Sequence, residues 1–384
     1  MLYFAIVIFL EMLAGCEIDL FVPSLPNIQQ DFGLTPFMAE LTLAVNLVPY
    51  CVMSLVAGNM GDKYGRKPVM LWGLALFIVG SALCLWAGSF TQLLWGRFLQ
   101  GVGIAGPAVL CYIVVADIFS QERQQEIVGI MHGVVTLAMA ISPLVGSYVN
   151  LYFQWRGNFT FLLIFGILSF AATLLLPHGM KHPEVRMSMK EYWPLVCSKR
   201  LWLYTLPICC GLAAYWVFLG MAPILYMEDL GVPLNHFGYY QGALAGSFAL
   251  LSLVAGLLMR QVGRRLCLIG SVVILMVFLI SSCALVLLEV SNPVIITGVA
   301  ILLSLGSVFP INILWPMSLE VVPNAKARIS GYAVAMKMIL TAFGVQLVSY
   351  LYDGTFFWLG LFMITFVVFA LGTGWILIKQ EKFV

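Results

Sequence analysis

Long apolar runs separated by short polar punctuation dominate the chain. Read between charged residues and Pro/Gly breaks, the runs fall at 1–20, 38–57, 69–88, 91–116, 127–149, 158–177, 201–225, 237–259, 267–288, 293–317, 329–351 and 356–378. A helix needs roughly 20 mostly apolar residues to cross a bilayer, and each run meets that length. No strand-length alternation appears, and lipid cannot satisfy open backbone polar groups, so the pattern predicts helices throughout. The expected fold class is an all-α membrane protein of twelve transmembrane helices. The longest polar stretch divides the runs six and six. It predicts an N-terminal six-helix bundle at 1–178, a cytoplasmic linker at 179–200 and a C-terminal six-helix bundle at 201–384.

The basic residues test the helix count. With the N-terminus placed in the cytoplasm, sixteen of the nineteen Lys and Arg residues fall in cytoplasmic segments. Arg156 alone falls on the opposite side, while Arg97 and Lys337 lie inside apolar runs. A count wrong by one helix would scramble this alternation downstream. The bias therefore predicts a multi-pass protein of a bacterial inner membrane with both termini cytoplasmic.

Composition agrees. Hydrophobic residues make up 62% of the chain and charged residues 9%, against about 25% charged in a soluble domain. Too little polar surface is present to coat a water-soluble globule, so lipid is the solvent. A net charge of +2 gives no electrostatic case for a nucleic-acid partner. The nine cysteines lack metal-ligand spacing and read as small packing residues, so neither metal nor cofactor is expected. No basic n-region precedes the first apolar run, and a removed signal peptide is not expected.

One polar loop recurs. Gly58-Asn-Met-Gly-Asp62-Lys-Tyr-Gly65-Arg66-Lys67 follows the second run, and Gly256-Leu-Leu-Met-Arg260-Gln-Val-Gly263-Arg264-Arg265 follows the eighth. Both read G-x-x-x-(D/R)-x-x-G-R-(K/R). Two six-helix halves with matching loops suit a rocking transporter that binds its substrate between repeats.

At these residues the chain resembles the major facilitator superfamily, and within it the Bcr/CflA-type drug:proton antiporters. The resemblance covers the whole chain, and its sharp motifs lie in the first half. They are the loop signature Gly58, Asp62, Gly65, Arg66, Lys67 and Pro68; Arg97-Phe-Leu-Gln100-Gly101-Val-Gly103 in the fourth run; and Ser142-Pro143-Leu-Val-Gly146 in the fifth, close to the antiporter motif of that helix. Trp155-Arg156-x-x-Phe159 opens the sixth, and Ile18-Asp19-x-x-x-Pro23-x-Leu-Pro26 ends the first. The chain has Ser142 where the antiporter motif usually has Gly or Ala. The resemblance implies alternating access and a role for Arg97 in proton coupling.

Charges inside a bilayer cost on the order of 2.5–3.5 kcal/mol each on insertion scales, so each is a functional candidate. Glu11 lies near the middle of the first helix and Asp19 near its outer end. Eight residues advance roughly 12 Å and rotate about 80°, so both can line one side of a cavity at different depths. Carboxyls in such a low-dielectric cavity can load and unload protons near neutral pH. Some multidrug members of the resembled superfamily carry acids at this spacing. Glu17 falls roughly 240° around from Glu11 and reads as off the functional face. Arg97, permanently charged, can bond an acid or carbonyls of the first helix.

Lys337, about two turns into the eleventh run, is expected to pair with Glu11, to bind an anionic substrate, or to snorkel to the interface. Tyr215 and Trp216 can face the cavity and stack on a ligand. The loop signature lacks a phosphate-cradling Gly-Lys-Ser/Thr ending. Asp62, Arg66 and Asp117, with Gly58 and Gly65 shaping the loop, instead read as a charge network at the cytoplasmic helix ends that acts as a conformational latch. Pro143 permits a bend and Gly146 a close helix approach.

The function expected is proton-coupled efflux of a small amphipathic compound, such as a drug or siderophore-like metabolite, by a monomer whose partners are substrate, protons and lipid. An alternative is a carrier for uptake or export of an organic anion. A membrane-embedded enzyme or receptor is a third class, disfavoured because no H-E-x-x-H or serine–lysine arrangement stands out. No ATP-binding segment is evident, so energy must come from an ion gradient or the substrate's own gradient.

Overall fold

A computed structural model describes residues 2–118, 121–177, 193–318, 321–322 and 326–380. The described residues are helical almost throughout. α1 (Leu2–Asp19) leads through a 3₁₀ turn at Val22–Ser24 into the short α2 (Leu25–Phe32). α3 (Pro36–Tyr64), α4 (Arg66–Leu85), α5 (Phe90–Ile118) and α6 (Gln121–Leu174) complete the first half. A single turn, α7 (Trp193–Val196), precedes α8 (Lys199–Pro223), α9 (Leu234–Val262), α10 (Arg264–Leu287), α11 (Pro293–Ser318), α12 (Lys326–Leu351) and α13 (Phe357–Gln380). The chain forms two compact units, Met1–Ser188 and Met189–Val384. Of the stretch predicted as a linker, residues 193–196 are helical, Lys199 and Arg200 open α8, and 178–192 lie outside the described residues.

Among the described residues ten helical stretches are long and apolar enough to cross a membrane. α1 is not one of them, because Glu11, Glu17 and Asp19 put three charges into its 18 residues. One of the ten, Leu137–Leu174, is broken at Gln154 (φ 57°, ψ −176°), which turns α6 into two passes. Ten stretches, plus α1, plus the second pass of α6 give twelve crossings. The positive φ at a non-glycine residue is a sparsely populated conformation that only a surrounding clamp sustains. The clamp is visible beside it: Trp155 Nε1 donates to Asp31 Oδ2 at 2.6 Å, Arg156 Nη1 lies 3.6 Å from the same oxygen, and the Arg156 guanidinium sits 4.0 Å over the Trp155 ring. The Trp-Arg pair of the sixth run thus ties the α6 bend to the end of α2.

The sequence repeat is also a structural repeat. Gly65 joins α3 to α4 with φ 98° and ψ 147°, and Gly263 joins α9 to α10 with φ 92° and ψ 147°. Side-chain-bearing residues rarely adopt such angles, which accounts for glycine at both sites. In each loop the glycine N–H caps the preceding helix, Gly65 on the Gly61 carbonyl at 3.0 Å and Gly263 on the Met259 carbonyl at 3.2 Å. Close packing within the first unit rests on small residues. A Cβ at Gly146 would lie 2.1 Å from the Leu20 carbonyl oxygen, and one at Gly101 would lie 2.1 Å from that of Asn46. Glycine therefore lets α6 touch the backbone of the α1 end, and α5 that of α3, as expected where apolar solvent supplies no hydrophobic drive.

Candidate functional site

In the first unit the close approach of α1, α3 and α5 buries an unusual set of ionisable groups. Arg97, on α5, is fully buried. Its Nη1 donates to Glu17 Oε1 at 3.0 Å and to Gln100 Oε1 at 2.7 Å, its Nε to the Thr42 carbonyl at 3.4 Å, and its guanidinium lies 4.6 Å over the Phe21 ring. Gln100 passes the chain on, donating to Ser81 Oγ at 2.8 Å. Asn46 Nδ2 donates to Glu17 Oε1 at 2.8 Å and to the Arg97 carbonyl at 3.1 Å. The result is a polar network joining four helices around one ion pair.

This geometry changes one expectation. Glu17, which the helix spacing places off the functional face, is the acid of the first helix that Arg97 holds. Arg97 reaches Glu17 from α5, and Asn46 of α3 meets the same carboxyl oxygen. Asp19 lies two residues further on, 2% exposed, and its Oδ2 has no hydrogen-bond partner among the described residues. Glu11 is 3% exposed; its Oε2 accepts from the Tyr112 hydroxyl at 3.4 Å, while Oε1 has no partner among the described residues. Glu11 and Asp19 therefore share a helix without sharing a hydrogen bond.

A further acid was missed. Glu40, on α3, is completely buried, and neither carboxyl oxygen has a hydrogen-bond partner among the described residues. A run read as beginning at 38 puts residue 40 in the headgroup zone, where an acid is unremarkable. Its burial comes from the packing of α3 and not from the apolar pattern.

The antiporter-motif residues serve packing and bending. Ser142 Oγ donates to the Ala138 carbonyl at 2.6 Å and Ser147 Oγ to the Pro143 carbonyl at 2.8 Å, next to the break that Pro143 makes in the helical ladder. Asn158 donates to Ser24 Oγ at 2.7 Å and to the Gly146 carbonyl at 3.2 Å, stitching the two passes of α6 to the segment after α1.

At the loop signature, Arg66 is buried at the start of α4 and Gly65 makes the turn. Gly58 has open space around its Cβ position and so makes no tight contact. Lys67 Nζ donates to the carbonyls of Leu174 and Leu176 at 2.7 and 2.9 Å, capping the end of α6. The side chains of Asp62 and Asp117 lie outside the described residues.

In the second unit, Tyr215 and Trp216 on α8 part company. Tyr215 is buried in the core and packs on Phe248, centroids 5.9 Å apart. Trp216 is partly buried and offers its ring to Lys337 of α12, whose Nζ lies 5.8 Å from the centroid. A separate cavity of about 650 Å³ borders the other face of α8, lined almost wholly by apolar side chains such as Ile208, Leu268, Leu275, Ile311 and Trp375. It holds no charged group, so it lacks the polar anchors by which a binding site orients its ligand.

Comparison with known proteins agrees with the fold. The family model described as Major Facilitator Superfamily matches residues 7–345. Among curated proteins, the multidrug resistance protein MdtL of Klebsiella pneumoniae (strain 342) is 23% identical over 249 residues, 64% of this chain and 62% of that protein. The chloramphenicol resistance protein of Pseudomonas aeruginosa is 30% identical over 228 residues, 58% of this chain and 54% of that protein. The chain thus spans about 62% and 54% of the length of these two relatives. Among solved structures, the xylose transporter XylE from E. coli in a partially occluded inward-open conformation aligns over 100% of this chain and 99% of its own, with a TM-score of 0.76 and 12% identity. A D-xylose-proton symporter aligns over 99% and 97%, with a TM-score of 0.74 and 13% identity. At these identities the structural likeness speaks for the fold alone.

Proposed function

The chain belongs to the major facilitator superfamily, a family of membrane transporters rather than enzymes, and from that premise we propose that it exports a small amphipathic compound in exchange for protons. The observation that carries the reading is Asp19, a buried carboxyl on a membrane-crossing helix, one oxygen of which has no partner among the described residues, two residues from the Glu17–Arg97 pair. Burying a charge without a partner is costly, and a carboxyl removes that cost by taking a proton. An antiporter needs such a group: proton and substrate must each disfavour the other's binding.

In this reading Asp19 carries the proton. Arg97 holds Glu17 and thereby sets the field at the outer end of α1. Glu11, hydrogen-bonded by Tyr112, meets the substrate's charge or polar groups at mid-helix, and Glu40 is a third buried carboxyl of the same unit. Asp62, Arg66 and Asp117 form the latch, with Gly58 and Gly65 in its loop. The direction is supported by two relatives whose names denote multidrug and chloramphenicol resistance. The chain is placed in a bacterial inner membrane with both termini in the cytoplasm, on the strength of the basic-residue bias.

The test is reconstitution of the full chain in sealed vesicles with a pH dye inside. Chloramphenicol is tried first, then a panel of amphipathic drugs. Addition of a transported compound should evoke a proton flux that dissipates an imposed pH gradient. Transport of every active compound with no accompanying proton movement would overturn the reading.

A further inference from the structure

The second unit carries a cation inside a helix, and its acids lie outside the six long α-helices, the nearest in sequence to α8 being Glu228 and Asp229 in the turn that follows it. α8, α9, α10, α11, α12 and α13 contain not one Asp or Glu within their bounds. Lys337 nevertheless stands within the apolar part of α12, in the crossing Gly331–Leu351. No salt bridge or hydrogen bond is formed by its ammonium group with the described residues; it lies 5.8 Å from the centroid of the Trp216 ring, and the Cys209 thiol is also near. An ammonium has three donors, and an aromatic face satisfies none of them as an acceptor would.

Lys337 lies six residues, about 9 Å, inside the crossing that begins at Gly331, and its ammonium faces the ring of Trp216. α8 and α12 run parallel, because Cys209 Sγ donates to the Ala333 carbonyl at 3.4 Å, and further along Gly344 sits against Val217, 2.8 Å from a Cβ built on the glycine. Trp216 lies seven residues beyond Cys209, and Lys337 only four beyond Ala333. Trp216 and Lys337 thus lie within about 5 Å of one level along the helix pair, with the ammonium facing the indole ring.

Two further features make a site of it. Thr341, one turn on along the same helix face, is buried, and its hydroxyl has no hydrogen-bond partner among the described residues. Lys337 and Trp216 are each only partly buried as residues. A charged donor, an orphan hydroxyl and an indole face in an otherwise apolar wall are complementary to one kind of ligand.

We propose that Lys337, Thr341 and Trp216 bind the anionic group and flat apolar body of an aromatic organic acid, so that the exported compounds include aromatic carboxylates and zwitterions bearing the same group. The carboxylate accepts from the ammonium and the Thr341 hydroxyl, and the ring system lies against Trp216. This rests on the reading of the chain as an exporter of small amphipathic compounds, and it names the class that the second unit selects.

The test reads binding without a gradient, so that a failure of proton coupling leaves it unmoved. The purified full chain in detergent is titrated by equilibrium dialysis with matched one- to three-ring probes: benzoate, 1-naphthoate and 9-anthroate, with the corresponding amides. For at least one ring system the carboxylate should bind about tenfold tighter than its amide, as a charge-assisted hydrogen bond replaces a neutral one. Lys337→Met should abolish that preference, Lys337→Arg should keep most of it, and Trp216→Leu should weaken acid and amide alike. Thr341→Val, a milder change, should lower the acid-to-amide ratio several-fold if Lys337→Met fails to fold. A parent protein with no acid preference, or a preference that survives in both Lys337→Met and Thr341→Val, would overturn the proposal. So would restoration of parent behaviour in Lys337→Met by adding Glu11→Gln, since the counter-charge would then belong to the protein.

Discussion

Replacing Arg97 by Met removes the guanidinium around which the first unit's polar network is built. The change leaves Glu17 buried with Asn46 as its remaining donor among the described residues and takes the Nη1 donor from Gln100 Oε1, which keeps only the weak Cys84 thiol at 3.8 Å. Breaking a buried ion pair from one side costs about 3–5 kcal/mol, and leaving a buried acceptor with so weak a donor adds up to about 1–3 kcal/mol. Glu17→Met strands the arginine and should cost about 3–5 kcal/mol. The double variant has no buried charge to strand and retains the Gln100 penalty, about 1–3 kcal/mol. The two singles should therefore couple by at least about 3 kcal/mol, with the double variant more stable than Arg97→Met alone. The assay is denaturant unfolding in mixed micelles, followed by tryptophan fluorescence, on all four proteins. Additivity within about 0.5 kcal/mol would refute the ion pair as the organising contact. The double variant also separates stability from coupling, because it should fold yet fail to exchange protons.

Three other outcomes are expected. Gly146→Ala drives a methyl to 2.1 Å from the Leu20 carbonyl oxygen and should lower the melting temperature sharply, while Gly58→Ala, with nothing within 4 Å, should not; differential scanning fluorimetry compares them. Asp62→Asn and Arg66→Ala should leave folding largely intact but slow transport in vesicles; parent rates in both would remove the latch. Reporter tags at His182 and Val384 should both report cytoplasm, and an external report at either would contradict the proposed orientation.

The crossings were legible because lipid imposes one rule on every span: apolar length with few charges. The paired loops were legible because their glycines meet the same backbone demand, φ near 98° at Gly65 and 92° at Gly263. What escaped depends on neighbours. A helical wheel gives the angle between Glu11 and Glu17, but not the direction from which Arg97 arrives. Glu40 looked interfacial until α3 packed, and Tyr215 looked as available as Trp216 until Phe248 claimed it. The turn between the fifth and sixth runs was legible, and Gln154 falls within it, but its clamp was not, since Asp31 comes from more than a hundred residues away.

The most direct measurement of the central claim is the proton flux evoked by a transported compound in vesicles, recorded for the parent, Asp19→Asn, Glu11→Gln and the double variant. Fixing residue 19 in a neutral form should abolish proton-driven exchange while the protein still inserts and still binds neutral ligands, and Glu11→Gln should selectively weaken cationic compounds. Full proton exchange in the Asp19→Asn/Glu11→Gln protein would contradict a coupling site on α1.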